Sequence, residues 1–353
     1  MAQSSFLTRR ALLRAALLGA GGLAASTVAA TRAATATTTI FLPVVIAPGA
    51  PASGWQQLPG TFPARADHSL TYDPARQRLS LFGGRGANDD LWQLDLAGGT
   101  WQRVAVAGPR PAARFGHNAC YDPTSRRLIV ALGQATTGAF LNDAWAFDPD
   151  AVAWTQLHSG SGTAPAPRYG AAAALDDARR LVISHGFTSK GRFDETWRFD
   201  LATATWSEVA TSGARPLARC LTRGAWDSSG AFLLFGGQAN SAPYLGDLWA
   251  LDVAQGRWAE LPASGPSPRN LYGASFDGAR RRWYISGGNT ASGPAADLWA
   301  YDVAAQRWAA ISTPNEVAPP RHSHDSALAD GKLVLCGGQG AAGALGDSWR
   351  LTF

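Results

Sequence analysis

The sequence is poor in cysteine: only Cys120, Cys220 and Cys336 occur among 353 residues. Their number is odd and they lie far apart, so the spacing does not indicate a disulfide framework. A protein without such crosslinks has to be stabilised by its own core. With 46% hydrophobic residues, the chain is long enough to bury a large one.

The sequence also has little net charge outside its first 36 residues. Four arginines and no acidic residue occur in that segment, and they account for most of the formal charge of +5. Without them, 27 basic residues face 26 acidic ones. Bulk charge therefore gives no support to nucleic-acid binding, and we expect no nucleic-acid partner.

A long apolar run is missing as well. The alanine-rich stretch after residues 8–14 (TRRALLR) is too short and too weakly apolar for a stable membrane span. The pattern resembles a twin-arginine export signal, with cleavage after Ala30 or Ala36. A disordered tail or a membrane anchor is the alternative. We expect a signal peptide at 1–36, a linker at 37–54, no membrane span in the mature protein, and export to the periplasm, the cell surface or the medium.

What the sequence does contain is a sixfold repeat of about 50 residues. A hydrophobic run ends in a glycine corner, and the second residue of that corner is always glycine. A tryptophan follows each corner, two residues after an acid. The glycines are Gly84, Gly133, Gly186, Gly237, Gly288 and Gly338. The acids are Asp90, Asp143, Glu195, Asp247, Asp297 and Asp347. The tryptophans are Trp92, Trp145, Trp197, Trp249, Trp299 and Trp349.

Two further columns complete the repeat. An arginine precedes each glycine corner, and a second tryptophan follows the first. The column arginines are Arg65, Arg114, Arg168, Arg219, Arg269 and Arg321. The second tryptophans are Trp101, Trp154, Trp206, Trp258 and Trp308, with the sixth copy displaced to Trp55 near the start of the repeats.

Each unit reads as four short strands, at about 66–72, 78–82, 91–95 and 100–104 in the first unit. Six such units predict an all-β fold, a six-bladed β-propeller over residues 55–353. The displaced Trp55 segment is predicted to close the ring by completing the last blade, which removes an exposed sheet edge.

The succession of Pro-Arg, Gly-Gly, Asn-Asp-Leu-Trp and Trp resembles the kelch repeat. The resemblance covers residues 55–353. The family also contains the central propeller domain of galactose oxidase, which this chain resembles in the same way. It implies a propeller fold but no particular activity, since function depends on the site that a fold carries.

In kelch proteins of known function, the column arginine and the residue after the second glycine often face the ligand. The resemblance therefore implies a binding face built by these positions, together with side chains that break the repeat. The candidates are Arg65, Arg85, Arg114, Gln134, Arg168, Tyr169, His185, Phe187, Arg219, Gln238, Arg269, Asn289, Arg321, His322 and Gln339. The alternative for the arginines is structural, with each one paired to an acid inside the propeller, because residues present in all six units are usually architecture. For the residues after the second glycine, the alternative is that they only begin solvent-exposed loops.

Other chemistries find weaker support. Residues 338–343 match G-x-G-x-x-G, but the repeat places a strand after them where a dinucleotide site needs a helix. His68, His117 and His324 share one repeat column and are interpreted as packing between blades, so no metal site or cofactor is predicted. Cys120-Tyr121 invites comparison with the copper-radical site of galactose oxidase, although Tyr121 belongs to the repeated apolar column.

The preferred interpretation is an exported binding module that recognises a protein, a peptide or a carbohydrate on its loop face. The alternative is a carbohydrate-active enzyme, either a galactose-oxidase-like oxidase or a sugar mutarotase. No residue stands out as a general base, so the sequence favours a binding protein without assigning catalytic residues.

Overall fold

The computed structural model describes residues 54–86, 89–313 and 318–353, and within these ranges the chain forms strands and no helix. The predicted signal peptide and the linker as far as residue 53 lie outside the described residues. Accordingly, the described ranges offer no helix with the length and apolar character to cross a bilayer.

The strands group into six successive units, the blades. Blade 1 contains β2 (Ser69–Asp73), β3 (Arg78–Phe82), β4 (Leu91–Asp95) and β5 (Trp101–Val104). Blade 2 contains β6 (Arg114–Phe115), β7 (Asn118–Asp122), β8 (Arg127–Ala131), β9 (Gln134–Ala135), β10 (Ala144–Asp148) and β11 (Ala153–His158). Blade 3 contains β12 (Ala172–Leu175), β13 (Arg180–Ser184), β14 (Phe187–Thr188), β15 (Gly191–Arg192), β16 (Thr196–Asp200) and β17 (Thr205–Val209).

The second half continues the series. Blade 4 contains β18 (Arg219–Cys220), β19 (Arg223–Asp227), β20 (Ala231–Ala239), β21 (Leu245–Asp252) and β22 (Arg257–Leu261). Blade 5 contains β23 (Arg269–Asn270), β24 (Gly273–Asp277), β25 (Arg282–Thr290), β26 (Gly293–Asp302) and β27 (Arg307–Ala310). Blade 6 contains β28 (Asp325–Ala329), β29 (Lys332–Cys336), β30 (Gln339–Gly340), β31 (Gly343–Ala344), β32 (Ser348–Thr352) and, from the start of the domain, β1 (Gly54–Gln57).

The ring is closed by β1, as the sequence predicts. It pairs antiparallel with β32, so that Trp55 lies opposite Leu351 and Gln57 opposite Trp349. The innermost strand of each blade contacts the innermost strands of its two neighbours around the axis. The order is β2, β7, β12, β19, β24, β28 and back to β2. The prediction of a six-bladed propeller is therefore confirmed. The closing strand begins at Gly54, which was predicted to end the linker.

Six apolar cores lie between neighbouring blades, and each is built around a tryptophan of the second column. Trp154 of blade 2, for example, packs with Phe82 and Leu91 of blade 1, and Trp55 packs with Tyr284 and Leu298 of blade 5. All six of these indoles are buried. The repeated tryptophan thus joins one blade to the preceding one and buries apolar surface between them.

A closed ring of six backbone hydrogen bonds encircles the axis just before the innermost strands begin. We call it the peptide ring. Each of its residues lies two positions after a column arginine and donates its N–H to the carbonyl of the equivalent residue in the preceding blade, at 2.7–3.1 Å. Every one has positive φ, between 53° and 65°. The residues are Asp67, Gly116, Gly170, Leu221, Leu271 and Ser323.

Two details differ from the sequence expectation. The first strand of blade 1 begins at Ser69 and not at residue 66, because the preceding residues take part in the peptide ring and its approach. The glycine corner ends the second strand in blades 1, 2, 3 and 6. In blades 4 and 5, however, β20 and β25 continue through it, and the pairing register shifts there as in a β-bulge.

Candidate functional site

The residues after the glycine corners meet the residues after the column arginines on one end of the propeller, which we call the loop face. They form short antiparallel pairings in all six blades. The pairs are Ala66 with Arg85, Phe115 with Gln134, Tyr169 with Phe187, Cys220 with Gln238, Asn270 with Asn289, and His322 with Gln339. The predicted residues after the second glycines are therefore neighbours of the residues after the column arginines, of which only Tyr169 and His322 were predicted, and both sets lie on the same face.

The column arginines lie inside the fold beneath this face. Each one donates through Nη1 to the carbonyl of the first corner residue of its own blade and pairs with the acid of that blade. Arg65 shows the pattern: it donates to the Gly83 carbonyl at 3.0 Å and to both Asp90 oxygens at 2.8 and 3.0 Å. The other pairs are Arg114–Asp143, Arg168–Glu195, Arg219–Asp247, Arg269–Asp297 and Arg321–Asp347.

Burial decides between the two interpretations of these arginines. Each of the six exposes at most 2% of its surface, so the guanidinium groups offer no face to a ligand. Burial alone would raise the pKa of the partner carboxyl groups Asp90, Asp247, Asp297 and Asp347. The arginine hydrogen bond, the arginine charge and the indole hydrogen bond together outweigh burial and hold each pKa below its usual value. The geometry supports the structural interpretation and does not place these arginines among ligand contacts.

His185 is also placed in the core. Its exposed fraction is 0%, and its Nδ1 lies 2.8 Å from the Ser184 hydroxyl. It replaces the first corner glycine and keeps the left-handed backbone of that position, with φ at 66°. The candidates that reach the surface are therefore Arg85, Gln134, Tyr169, Phe187, Gln238, Asn289, His322 and Gln339, all of them exposed or half-buried.

Blades 2 and 3 bring four half-buried aromatic rings together on the loop face. We call Phe115, Phe140, Tyr169 and Phe187 the aromatic patch. Tyr169 lies at its centre, with ring centroids 5.9 Å from Phe115, 6.2 Å from Phe140 and 5.7 Å from Phe187. Phe140 and Phe187 are 6.0 Å apart, edge to face. Such spacing is typical of favourable aromatic packing and fixes the rings in a rigid surface.

Two arginines flank the aromatic patch. The Arg85 guanidinium lies 4.1 Å from the centroid of the Phe115 ring, and its Nε donates to the Asp67 carboxylate. On the other side, Arg192 lies 5.6 Å from the Phe187 centroid and donates to the Asn240 amide oxygen. About half of the Arg85 side chain is exposed. The patch therefore offers apolar surface bordered by cationic groups held over aromatic faces.

Gly116 gives Tyr169 its place in the patch. A Cβ atom at Gly116 would lie 2.4 Å from Tyr169 Cδ2, well inside van der Waals contact. The peptide ring also requires positive φ at this position, 57°. Glycine therefore satisfies the backbone of the ring and the position of the aromatic side chain together.

The remaining half of the loop face is more polar. Gln238, Asn289 and Gln339 present amides from blades 4, 5 and 6, and Asn289 donates to the Tyr244 hydroxyl at 3.4 Å. His322 is half-buried with Nδ1 3.1 Å from the Ser323 hydroxyl, and burial lowers its pKa. The loop face is thus divided into an aromatic half and an amide half.

Phe115, Phe140 and Arg192 are surface residues that the sequence interpretation did not include. A signal was available for Phe115, because it occupies the same repeat position as Tyr169 and His322, directly after the column arginine. Phe140 and Arg192 belong to loops of unequal length. No repeat column identifies them, and only the fold shows that they lie beside Tyr169 and Phe187.

The other candidate chemistries can also be placed. His68, His117 and His324 are buried, and two of them contact serines at blade junctions: His117 Nε2 lies 2.8 Å from Ser69 and His324 Nε2 lies 2.9 Å from Ser286. In the part of the chain that the structure describes, no group of three or more His, Cys, Asp or Glu side chains has metal-binding geometry.

The Cys120-Tyr121 pair lies on the innermost strand of blade 2. Cys120 is half-buried, and desolvation raises the pKa of its thiol to about 12. At neutral pH the thiol is therefore protonated and a poor nucleophile. Cys220 and Cys336 are likewise free thiols.

The closed ring of six blades, with the arginine, glycine and tryptophan columns repeated in register, is that of a kelch-type β-propeller. Residues 53–227 and 224–353 match the family described as the KLHDC2/KLHL20/DRC7 Kelch-repeats domain, and the chain belongs to this kelch-repeat family. Kelch-repeat propellers commonly bind proteins. The resemblance in the repeat pattern is thereby confirmed.

Two curated relatives share part of this domain. The chain is 31% identical over 211 residues to Adagio-like protein 3 of Oryza sativa subsp. japonica, across 54% of this chain and 33% of that protein. It is 28% identical over 221 residues to host cell factor 1 of Rattus norvegicus, across 56% of this chain and 11% of that protein. The chain matches a third or less of the length of either relative.

Proposed function

We propose that this protein is an exported binding module that recognises a protein partner through the aromatic half of its loop face. The observation that carries the proposal is the aromatic patch, in which four rings are fixed by mutual packing and bordered by two arginines. Aromatic and arginine side chains are the residue types that most often dominate binding energy at protein interfaces.

The physical design supports binding at this place. Half-buried aromatic rings lose little conformational entropy when a partner covers them, because their neighbours already hold them. The flanking guanidinium groups of Arg85 and Arg192 favour a partner segment with carboxylates beside an apolar anchor. A rigid β scaffold below variable loops is a common arrangement for recognition.

Export is part of this proposal. The basic N-terminal segment with Arg9 and Arg10, followed by an alanine-rich stretch, supports translocation of the propeller after folding. The cell fraction in which the mature chain accumulates, together with its N-terminal residue, checks this component. Protein that stays in the cytoplasm with its N-terminus uncleaved would contradict it.

The binding proposal is tested with partners captured from native extracts by the mature domain and identified individually. Phe187→Ala and Arg85→Ala are expected to weaken binding of the captured partners by roughly tenfold or more each, as for interface residues worth about 1.4 kcal/mol or more. Gln339→Ala, on the amide half, is the matched control and should bind as the wild type does. Thermal unfolding verifies that all three variants are folded.

The outcomes distinguish the ligand classes. Partners retained by the Phe187 and Arg85 variants but lost by the Gln339 variant would move the site to the amide half. A carbohydrate that binds the wild type on a glycan array, with no protein partner dependent on the patch, would replace protein recognition with the carbohydrate alternative.

A further inference from the structure

A cavity lies on the axis of the propeller, away from the loop face. We call it the axial channel. It encloses about 320 Å³ between the innermost strands and extends from the level of Arg223 and Asp325 to the opposite ends of these strands, at Trp226 and Phe276. The wall between these levels is formed largely by small residues, including Ala173 and Gly224. Its volume is within the range that small-molecule sites occupy.

Arg223 lies at the inner end of the channel and is held differently from the six column arginines. Its Nε lies 3.3 Å from the Tyr272 carbonyl, and its Nη2 lies 3.5 Å from the His324 carbonyl and 3.4 Å from Asp325 Oδ1. The column arginines bind their acids at 2.5–3.0 Å. A quarter of the Arg223 side chain is exposed. The guanidinium therefore retains donor capacity toward the channel.

Acceptors lie at the same level. Asn118 is 6% exposed, and its Nδ2 donates to the Ala171 carbonyl at 2.9 Å, which leaves Oδ1 buried without a partner. Asp325 uses Oδ2 to accept the Leu70 N–H at 2.9 Å, while Oδ1 faces Arg223. An unpartnered buried acceptor is costly, so a ligand group that donates to it is favoured.

The charges at this level compensate each other. Arg223 and Asp325 carry opposite charges and lie 3.4 Å apart, so that the guanidinium opposes the rise in the Asp325 pKa that burial causes. The surrounding histidines His68, His117 and His324 are kept neutral because burial lowers their pKa. Because Arg223 and Asp325 already neutralise each other, a charged ligand would be desolvated beside them without an opposite charge left to compensate its own. An uncharged head that both donates and accepts hydrogen bonds meets no such penalty.

The outer part of the channel is apolar. Trp226 and Phe276 come from adjacent blades and line it together with Leu175, all three half-buried. A ring or a short chain attached to the polar head would cover these side chains, and burial of apolar surface contributes about 25 cal/mol per Å².

From this arrangement we infer that the axial channel binds a small uncharged molecule, with a hydroxyl or carboxamide head at Arg223 and Asn118 and an apolar group against Trp226 and Phe276. The site is separate from the proposed protein-binding surface, because its outer end lies at the opposite face of the propeller. The two sites can therefore be removed independently.

The test measures binding of four probes to the mature domain by calorimetry and by tryptophan fluorescence. Phenyl β-D-glucoside and benzamide carry the two uncharged heads, while benzoate and benzylammonium carry the charged equivalents. At least one uncharged probe is expected to bind with a Kd of about 1 mM or tighter, and the charged probes at least about tenfold more weakly. Failure of both uncharged probes, or tighter binding of a charged one, would overturn the inference.

Variants locate the site. Ala173→Leu fills the channel without removing a charge and should abolish probe binding, and Arg223→Gln should weaken it about tenfold. Trp226→Phe should keep binding but lose most of the fluorescence response. Arg85→Ala, on the loop face, should bind the probes as the wild type does. Unchanged binding in a folded Ala173→Leu variant would show that the probes lie elsewhere and refute the assignment even if Arg223→Gln fails to fold.

Discussion

The acid of each repeat has two partners, and this explains the spacing of the motif. Asp90 accepts from Arg65 on one side and from the indole N–H of Trp92, two residues later in the chain, at 2.7 Å. The same contact occurs in every blade. The acid-x-Trp spacing therefore fixes a carboxylate between a guanidinium and an indole. Of the first-column tryptophans, three are buried and three are half-buried: Trp145, Trp249 and Trp349, and Trp92, Trp197 and Trp299, respectively.

Replacement of Arg65 by alanine tests this arrangement. Arg65 and Asp90 form the most buried of the six pairs, with side chains 1% and 6% exposed. Loss of the guanidinium leaves the buried Asp90 carboxylate without its counter-charge, with only the Trp92 indole as a side-chain donor, and removes the donor to the Gly83 carbonyl. Arg65→Ala is therefore expected to lower the free energy of unfolding by about 3–5 kcal/mol. Chemical denaturation of both proteins at pH 7.5 measures the difference.

Arg110 provides the matched control. It pairs with Asp89 on the surface, with 44% and 30% of the two side chains exposed. Arg110→Ala should change the free energy of unfolding by less than about 1 kcal/mol. A similar loss in both variants would contradict the distinction between buried and surface pairs.

Among the strands, β1 pairs with the partner most distant in sequence, since it is the first described strand and pairs with β32, the last. It precedes the other blades in the chain, yet it supplies the outer strand of blade 6 and places Trp55 in the core between blades 5 and 6. Leu58, just after it, donates its N–H to the Ser348 carbonyl at 2.8 Å. The ends of the domain are thus joined by strand pairing and by a buried indole.

Two truncations test the role of this strand. A chain that begins at Gly54 should unfold at the same temperature as the mature protein, because β1 remains complete. Removal of residues 54–58 as well should cost at least about 3–5 kcal/mol, the usual value for loss of one buried tryptophan, and should expose the edge of β32. Scanning calorimetry compares the two. Equal unfolding temperatures would mean that β1 does not stabilise the ring.

The strands were predictable in number and order because the repeat columns mark them. Their ends were less predictable, since the approach to the peptide ring delays β2 to Ser69 and the bulges in blades 4 and 5 extend β20 and β25 through the glycine corner. These features depend on hydrogen bonds between blades and on loop length, neither of which follows from hydrophobic alternation.

For the molecule as a whole, buried histidines make stability depend on pH. Burial and nearby arginines lower the pKa of His68 and His185 to about 3, and the pKa values of His117 and His324 also lie well below the usual value. Such histidines stay neutral in the folded protein while the unfolded chain binds protons below about pH 6.5. The stability that depends on these histidines being neutral is fully present above that pH and is lost as the pH falls toward 3.

The expected result is an unfolding temperature that is constant above pH 7 and falls steadily below pH 6.5. At pH 5, each histidine with a folded pKa of about 3 should lower the free energy of unfolding by about 2 kcal/mol relative to its value above pH 7. The carboxylates paired with the column arginines add to the loss below about pH 4, since their folded pKa values are lowered. Thermal scans between pH 4 and pH 8 measure this dependence.

Substitution of single histidines tests the cause. His185→Asn keeps a residue that tolerates the positive φ and removes one titrating group, so its acid-induced fall should be smaller than that of the wild type. Unfolding temperatures that are equal at pH 7.5 and pH 5 would refute the mechanism.

The sequence predicts the propeller much better than its binding surface. Repeated residues report what six blades have in common, so they specify the fold, and the column arginines and second-column tryptophans are all buried. The aromatic patch instead joins Tyr169 and Phe187 with Phe140, from a loop without a repeat column. Which unrepeated side chains meet depends on how blades 2 and 3 are placed, and spacing along the chain does not contain that information.

The peptide ring has a consequence for assembly and for the axis. A helix or an open sheet ends in peptide groups without partners, whereas this cycle has no ends, and leaving out any one blade would expose one N–H and one C=O. The six bonds also circulate in one direction, so the in-plane components of their dipoles cancel around the axis. A solute on the axis would sense the individual side chains there, Arg223 above all, and little net field in the plane of the ring.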